Sequence, residues 1–404
     1  MTEGAPFLPY GRQLIEDDDV AAVAEALRSD YLTTGPRVEA FETAFAKTVG
    51  ARHAIACANG TAALHLAMLA LDLQPGDAIV VPTVTFAATA NCARFQGGEV
   101  VFADVDPDTG LMTPQTLAAA LERLEGRRLA AVLPVHLGGN VCDLPALRRL
   151  AGEAGAVLIE DACHALGSTM AFDGARERVG DCRHAAMACF SFHPVKTIAT
   201  GEGGMTTTND DALAWRLRGL RSHGITRDPT QFRLPAQSFD GLGAANPWAY
   251  EMQDLGYNYR LPDVLCALGI SQLAKLDRFV TRRRALAERY RALLAPLPLR
   301  AVATPAGDPA LHLFVVLIDF EAVGVTRKSV MEALHARGIG SQVHYIPVHR
   351  QPYYRDRYGE IDLPGADAWY DRCLSLPLHA GMADGDVDRV VDALRDVLDG
   401  PRSR

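Results

Sequence analysis

Read from its residues alone, the chain predicts an α/β protein. A large domain built on a mainly parallel sheet, with helices on both faces, precedes a smaller C-terminal α/β domain. Three observations lead there. Between residues 78 and 161, short apolar runs alternate with stretches of helical spacing, and buried strands joined by helices make parallel sheets covered on both sides. At 404 residues the chain exceeds the ~250–300 residues at which a single core stops growing. The proline-rich stretch 296–309 reads as a linker. Residues 1–275 are thus expected to form the large domain and 276–404 the small one.

Each element has a local reason. The first dozen residues are broken by Gly4, Pro6, Pro9 and Gly11 and read as irregular. Residues 17–27 carry apolar side chains at helical spacing, with acids massed at the start, where the helix dipole favours them. A hydroxyl-rich loop over 29–36 and a second helix over 38–49 follow. Residues 54–58, the turn Asn59-Gly60-Thr61 and the apolar helix 62–71 make strand, tight turn and helix N-terminus. Free amides and the positive dipole end make such a place fit for a phosphate, with Thr61 able to cap the helix. Strands are expected at 79–84, 100–104, 130–135 and 156–161, separated by helices at 87–95, 114–124 and 144–154. Two more strands, 187–191 and 205–208, flank the loop that holds Lys196.

A helix over 210–221 leads into residues 225–253, which have no sustained period. Long irregular loops are usually functional or disordered, and Phe232, Phe239, Trp248 and Tyr250 favour packing here. Helices are expected at 264–274 and 278–294. In the small domain, strands are expected at 311–318 and 339–345 and helices at 327–337 and 386–398.

Composition narrows the function. Hydrophobic residues make up 49% and charged residues 22%, as in ordinary soluble globular proteins. The formal charge of −9 argues against nucleic-acid and anionic-membrane surfaces. Eight cysteines are scattered without C-x-x-C pairs and read as buried free thiols in a reducing compartment. There is no basic start followed by an apolar run, and no apolar run approaches 18 residues, so the expected location is cytoplasmic. No G-x-G-x-x-G or G-x-x-x-x-G-K-[ST] string occurs, which removes the nicotinamide and P-loop readings.

The chemistry centres on Ser191-Phe-His193-Pro-Val-Lys196, followed by Thr-Gly-Glu-Gly-Gly. A lone amine in an otherwise uncharged loop, leaving a core strand, can act as a nucleophile toward an aldehyde. Upstream, Asp161 closes an apolar strand in Leu-Ile-Glu-Asp161-Ala-Cys-His164, where a carboxylate is expensive unless it has a partner. His344 and His349 are five apart, and strand geometry argues against a metal pair.

Together these strings resemble the DegT/DnrJ/EryC1/StrS family of nucleotide-sugar aminotransferases. That resemblance implies the fold type I, aspartate aminotransferase-like architecture and the cofactor pyridoxal 5′-phosphate (PLP). By the same resemblance Lys196 is the lysine joined covalently to PLP, Asp161 faces the ring nitrogen, and His164 lies near the ring hydroxyl. Gly60, Thr61 and Ser191 hold the phosphate, joined across a homodimer interface by Asn258. Phe86 lies flat against the ring. Tyr10, Tyr31, Thr33, His193, Arg260, His344 and Tyr345 face the substrate. The motifs look most like the branch that aminates the C4 ketone of a UDP-linked 4-keto-6-deoxy-N-acetyl sugar, with L-glutamate as donor, in pseudaminic acid biosynthesis. Lysine rather than histidine at 196 argues against the sugar dehydratase offshoot. Amination of another 4-keto nucleotide sugar, or a silent sugar-binding homologue, are the alternatives.

Overall fold

Runs such as Ala78-Ile-Val-Val-Pro82, in which all five residues are buried, offer no polar side chain and suit only the middle of a sheet. The computed structural model describes residues 6–172, 174–304 and 307–398. It contains β1 (His53–Cys57), β2 (Ala78–Pro82), β3 (Glu99–Ala103), β4 (Leu129–Val132) and β5 (Val157–Asp161). A hairpin of β6 (Thr169–Phe172) and β7 (Ala175–Arg178) follows, then β8 (Met187–Ser191) and β9 (Gly204–Thr208). The main sheet has the order β1-β9-β8-β5-β4-β2-β3. Strands β8, β5, β4, β2 and β3 are mutually parallel, while β9 pairs antiparallel with both β1 and β8. The reason is local: residues 192–203 contain no helix to carry the chain across for a parallel return.

The helices sort into groups. Gly60–Ala70, Ala87–Arg94 and Asp211–Arg221 pack together, and Pro114–Leu121 packs with Leu144–Glu153. Gly60–Ala70 is buried on nearly every side, as its run of alanine and leucine requires. Because the parallel strands share one direction, their carboxyl ends share one edge, where α/β sheets place ligands. Asn59, Thr83, Asp161 and Ser191 follow or end β1, β2, β5 and β8 there.

Two apolar cores form. The larger surrounds the main sheet. The second gathers Leu286–Leu294, Phe314, Val330, Ile339, Leu374 and Val387–Leu398. The helix Leu276–Leu294 feeds both, giving Leu276, Phe279 and Val280 to the first and Leu286, Tyr290 and Leu294 to the second. Leu8 joins the second core, its amide bonded to the Gly338 carbonyl at 2.8 Å.

The structure departs from expectation in several places. The proline-rich stretch 296–309 carries a strand, β12 (Leu299–Ala301), after the short pair β10 (Ile225–Thr226) and β11 (Glu251–Met252). β12 pairs with β13 (Phe314–Ile318), which pairs with β14 (Cys373–Leu376). β13 starts three residues later than expected because Leu311 has a left-handed φ of 54°, incompatible with extended chain. Residues 339–345 form no strand: only isolated bridges, Leu8 with Ile339 and Gln342 with Ser375, hold them. In 225–253, Phe232 and Phe239 pack at 5.9 Å, but Trp248 and Tyr250 are exposed, against the expectation that they pack within the chain.

Candidate active site

A cleft of about 710 Å³ opens at the carboxyl edge of the sheet. Its floor begins at the turn after β1. Asn59, not Thr61, caps the helix Gly60–Ala70, its side chain accepting from the Ala62 amide at 2.8 Å. The correction has a plain cause: the cap residue must stand outside the helix in extended conformation, and Asn59 does, whereas Thr61 is already in the first turn. Asn59 takes the Ala62 and Ala63 amides and leaves those of Gly60 and Thr61, which line the cleft, for a ligand. A Cβ on Gly60 would lie 2.8 Å from Ser191 Cβ and 3.2 Å from its hydroxyl oxygen. Only glycine leaves this space open.

Asp161, at the end of β5, is buried and held on both oxygens. The Cys163 amide donates to Oδ1 at 3.2 Å, and Thr89 Oγ1 donates to Oδ2 at 2.7 Å. Thr85 Oγ1 lies 2.7 Å from Thr89 Oγ1.

Lys196 is partly buried in the cleft wall, its amide bonded to the His193 carbonyl at 2.8 Å. Burial lowers its pKa, opposed by Cys163 and Asp161. Around it stand imidazoles. The Gly138 amide donates to His164 Nδ1 at 3.2 Å, so the ring proton sits on Nε2, which faces Tyr345 Oη at 3.1 Å. Burial first, then the charge of Lys196, hold the His164 pKa well below its ordinary value. The neutral tautomer follows from both facts. His312 lies 4.4 Å from the His164 ring and shares the downward shift for the same two leading causes. His344 Nδ1 is 2.7 Å from Ser375 Oγ, and burial takes its pKa down to about 3. His349 turns away to Thr83 Oγ1 at 2.7 Å, so the two histidines of that segment have separate partners.

One cleft therefore gathers Tyr10, Gly60, Thr61, Phe86, Asp161, His164, Ser191, His193, Lys196, His344 and Tyr345. Phe86 is 62% exposed, its ring 6.3 Å from that of Tyr345. Four expected residues stand elsewhere within the single chain. Tyr31, Thr33 and Asn258 are exposed. Arg260 lines a separate hollow with Gly35, Glu42 and Arg221. Sequence reasoning missed Thr85, Thr89, Asn59 and His312. The spacing of Thr85 and Thr89, one helical turn apart at the carboxyl end of an apolar strand, was the available signal for the first pair.

The residues fit a phosphorylated pyridine aldehyde. Free helix amides and a glycine-made space suit the phosphate, a buried carboxylate suits a ring nitrogen, and an amine of lowered pKa suits the carbonyl.

A family model described as the DegT/DnrJ/EryC1/StrS aminotransferase family matches residues 13–395. The spore coat polysaccharide biosynthesis protein SpsC of Bacillus subtilis (strain 168) is 39% identical over 401 residues, 98% of each chain. Among solved structures, Helicobacter pylori PseC, an aminotransferase involved in pseudaminic acid biosynthesis, superposes with a TM-score of 0.86. It is 28% identical, with 97% of this chain and 99% of that one covered. Spr1654 from Streptococcus pneumoniae in its PLP form gives a TM-score of 0.84 at 25% identity, covering 97% and 99%.

Proposed function

The chain belongs to the DegT/DnrJ/EryC1/StrS aminotransferase family, and from that premise we propose that it aminates a UDP-linked 4-keto-6-deoxy-N-acetylhexose. It is a PLP-dependent sugar aminotransferase of fold type I, as its family and structural relatives are. The proposed acceptor is UDP-2-acetamido-2,6-dideoxy-β-L-arabino-hexos-4-ulose, aminated at C4 with L-glutamate as donor, in pseudaminic acid biosynthesis. The likeness to PseC along 97% of the chain carries this reading. A second reading, amination of a different 4-keto nucleotide sugar, draws on the higher identity to SpsC, 39% against 28%.

When bound, PLP supplies a carbonyl carbon that amines add to and a ring that takes up electrons. On our reading Lys196 holds it covalently and Asp161 keeps a proton on the ring nitrogen, since an opposite charge favours the charged form. Gly60, Thr61 and Ser191 hold the phosphate, joined by Asn258 from a second copy of the chain. Released by an incoming donor amine, Lys196 would be a free base whose pKa burial lowers. It would move a proton from the donor's α-carbon to the cofactor's aldehyde carbon, and in the return half-reaction from that carbon to C4 of the acceptor. His164, neutral, stays a hydrogen-bond donor throughout. His344, Tyr345, Tyr10 and His193 line the side left for the sugar, with Tyr31, Thr33 and Arg260 reaching a neighbouring copy's cleft. Leu242, Trp248 and Leu255 are 95%, 72% and 77% exposed and offer that copy an apolar surface. Among the described residues no helix is long and apolar enough to cross a membrane; all eight cysteines are free, which supports a reducing compartment such as the cytoplasm.

Turnover with UDP-, GDP- and dTDP-linked 4-keto sugars tests the substrate. We expect amination of the UDP-linked N-acetyl sugar with glutamate; activity confined to another nucleotide overturns that choice while leaving the aminotransferase intact. Borohydride reduction should fix the cofactor to the peptide of Lys196, one of only four lysines in the chain. Lys196→Ala should lower kcat by about 10²–10⁴ or more.

A further inference from the structure

Behind the carboxylate of Asp161 lies a chain of two hydroxyls whose direction is fixed by elementary accounting. An ionised carboxylate only accepts. Thr89 therefore spends its single proton on Asp161 Oδ2, at 2.7 Å. Its oxygen is left as the acceptor for Thr85, whose Oγ1 is 2.7 Å away. The order is Thr85 to Thr89 to Asp161. Thr85 is 2% exposed and Thr89 0%, so no solvent competes, and a donor lost here is not replaced by water at no cost. The helix Ala87–Arg94 starts just after its cap Phe86, so Thr85 stands just outside it and Thr89 in its first turn, from which the Thr89 hydroxyl reaches Asp161 at the end of β5.

We propose that Thr89, supported by Thr85, is a positioning residue that sets how strongly Asp161 holds the proton of the cofactor's ring nitrogen. This rests on the reading of Asp161 given above. The donated bond does two things. It fixes the rotation of the carboxylate together with the Cys163 amide on Oδ1. It also stabilises the anion, which keeps the shared proton on the ring side. The other titratable groups around Asp161 do not compete for that role. Burial pushes the thiols of Cys92, Cys163 and Cys189 and the phenol of Tyr345 upward, so they stay neutral. Lys196 lines the same cleft, its pKa lowered by burial.

The test compares Thr89→Val, Thr89→Ser and Thr85→Val with Asp161→Asn, all purified as holoenzyme and as apoenzyme. Two quantities are read: the affinity of apoenzyme for PLP, and the pH midpoint of the holoenzyme's yellow colour. A ring that holds its proton less firmly draws less electron density from the lysine-linked nitrogen, which then keeps its own proton to higher pH. Thr89→Val should therefore raise the midpoint and weaken PLP binding about tenfold, the size of a one-unit shift in the ring-nitrogen pKa. Thr85→Val should shift both in the same direction by less, and Thr89→Ser should restore both. If Thr89→Val lowers only the melting temperature and leaves midpoint and affinity unmoved while Asp161→Asn shifts them, the hydroxyl chain has no such role. If Asp161→Asn moves neither, the Asp161 reading fails first and the inference falls with it.

Discussion

A methyl group on Gly60 would have no room, with Ser191 Cβ at 2.8 Å and Cys163 Sγ at 3.4 Å. Gly60→Ala should cost about 1–3 kcal/mol of stability from overpacking and weaken PLP binding by about tenfold; apoenzyme titration and urea denaturation read the two separately. Lys196 and Asp161 were legible in the sequence because each violates its surroundings, a charge in an apolar run. Thr89 was not, since a threonine in a helix of alanines violates nothing, and its meaning arises only when β5 brings Asp161 beside it. His312 was hidden for a similar reason. It follows Leu311, whose left-handed backbone no pattern in the sequence announces, and it meets His164 from far along the chain.

At the level of the elements, the parallel strands came out within a residue or two of expectation, except that β4 ends three residues early at Val132, because each is largely apolar and bounded by turns. Helix starts were as clear wherever a cap stood outside the run. The helix at Gly60–Ala70 shows the limit, since both Asn59 and Thr61 are capping residues by type, and only the backbone says which stands outside. Asn59→Ala should therefore destabilise the protein by about 1 kcal/mol, whereas Thr61→Ala should spare stability and lower PLP affinity. Thermal melts of the two apoenzymes check the contrast. Elements missed by the sequence, such as β7, β12 and β14, are short. β7, in which Glu177 alone is buried, and β12 gain their strand character only from a partner distant or folded back beside them.

For the molecule as a whole, acid is the informative stress. His344 has its pKa taken down to about 3 and His379 to about 4, both chiefly by burial, from an ordinary value of 6.5. Below pH 6.5 the unfolded chain binds protons there that the folded chain refuses. Stability is thus full above that pH and falls toward the folded values, by about 1.4 kcal/mol per pH unit for each such histidine. Urea denaturation at pH 7.5, 6 and 5 should show the decline, and His344→Gln should flatten it; an unchanged slope in that variant would contradict the assignment. The α/β class was legible from length and pattern. The helix Leu276–Leu294 shares its side chains between both cores.

The segment bearing His344 and Tyr345 is moored twice. Gln342 exchanges amide bonds with Ser375 at 3.1 and 2.8 Å, and Val348 donates to the Thr83 carbonyl at 2.8 Å. One mooring lies on β14 and the other just past β2, so the span behaves as a beam set into two walls, not as a flap on one hinge. If His344 and Tyr345 face the sugar as proposed, a beam of this kind would select by fixed gauge: a bulkier sugar would meet a barrier that does not yield. Amide exchange at Gln342 and Val348 should be equally slow before and after a nucleotide sugar enters.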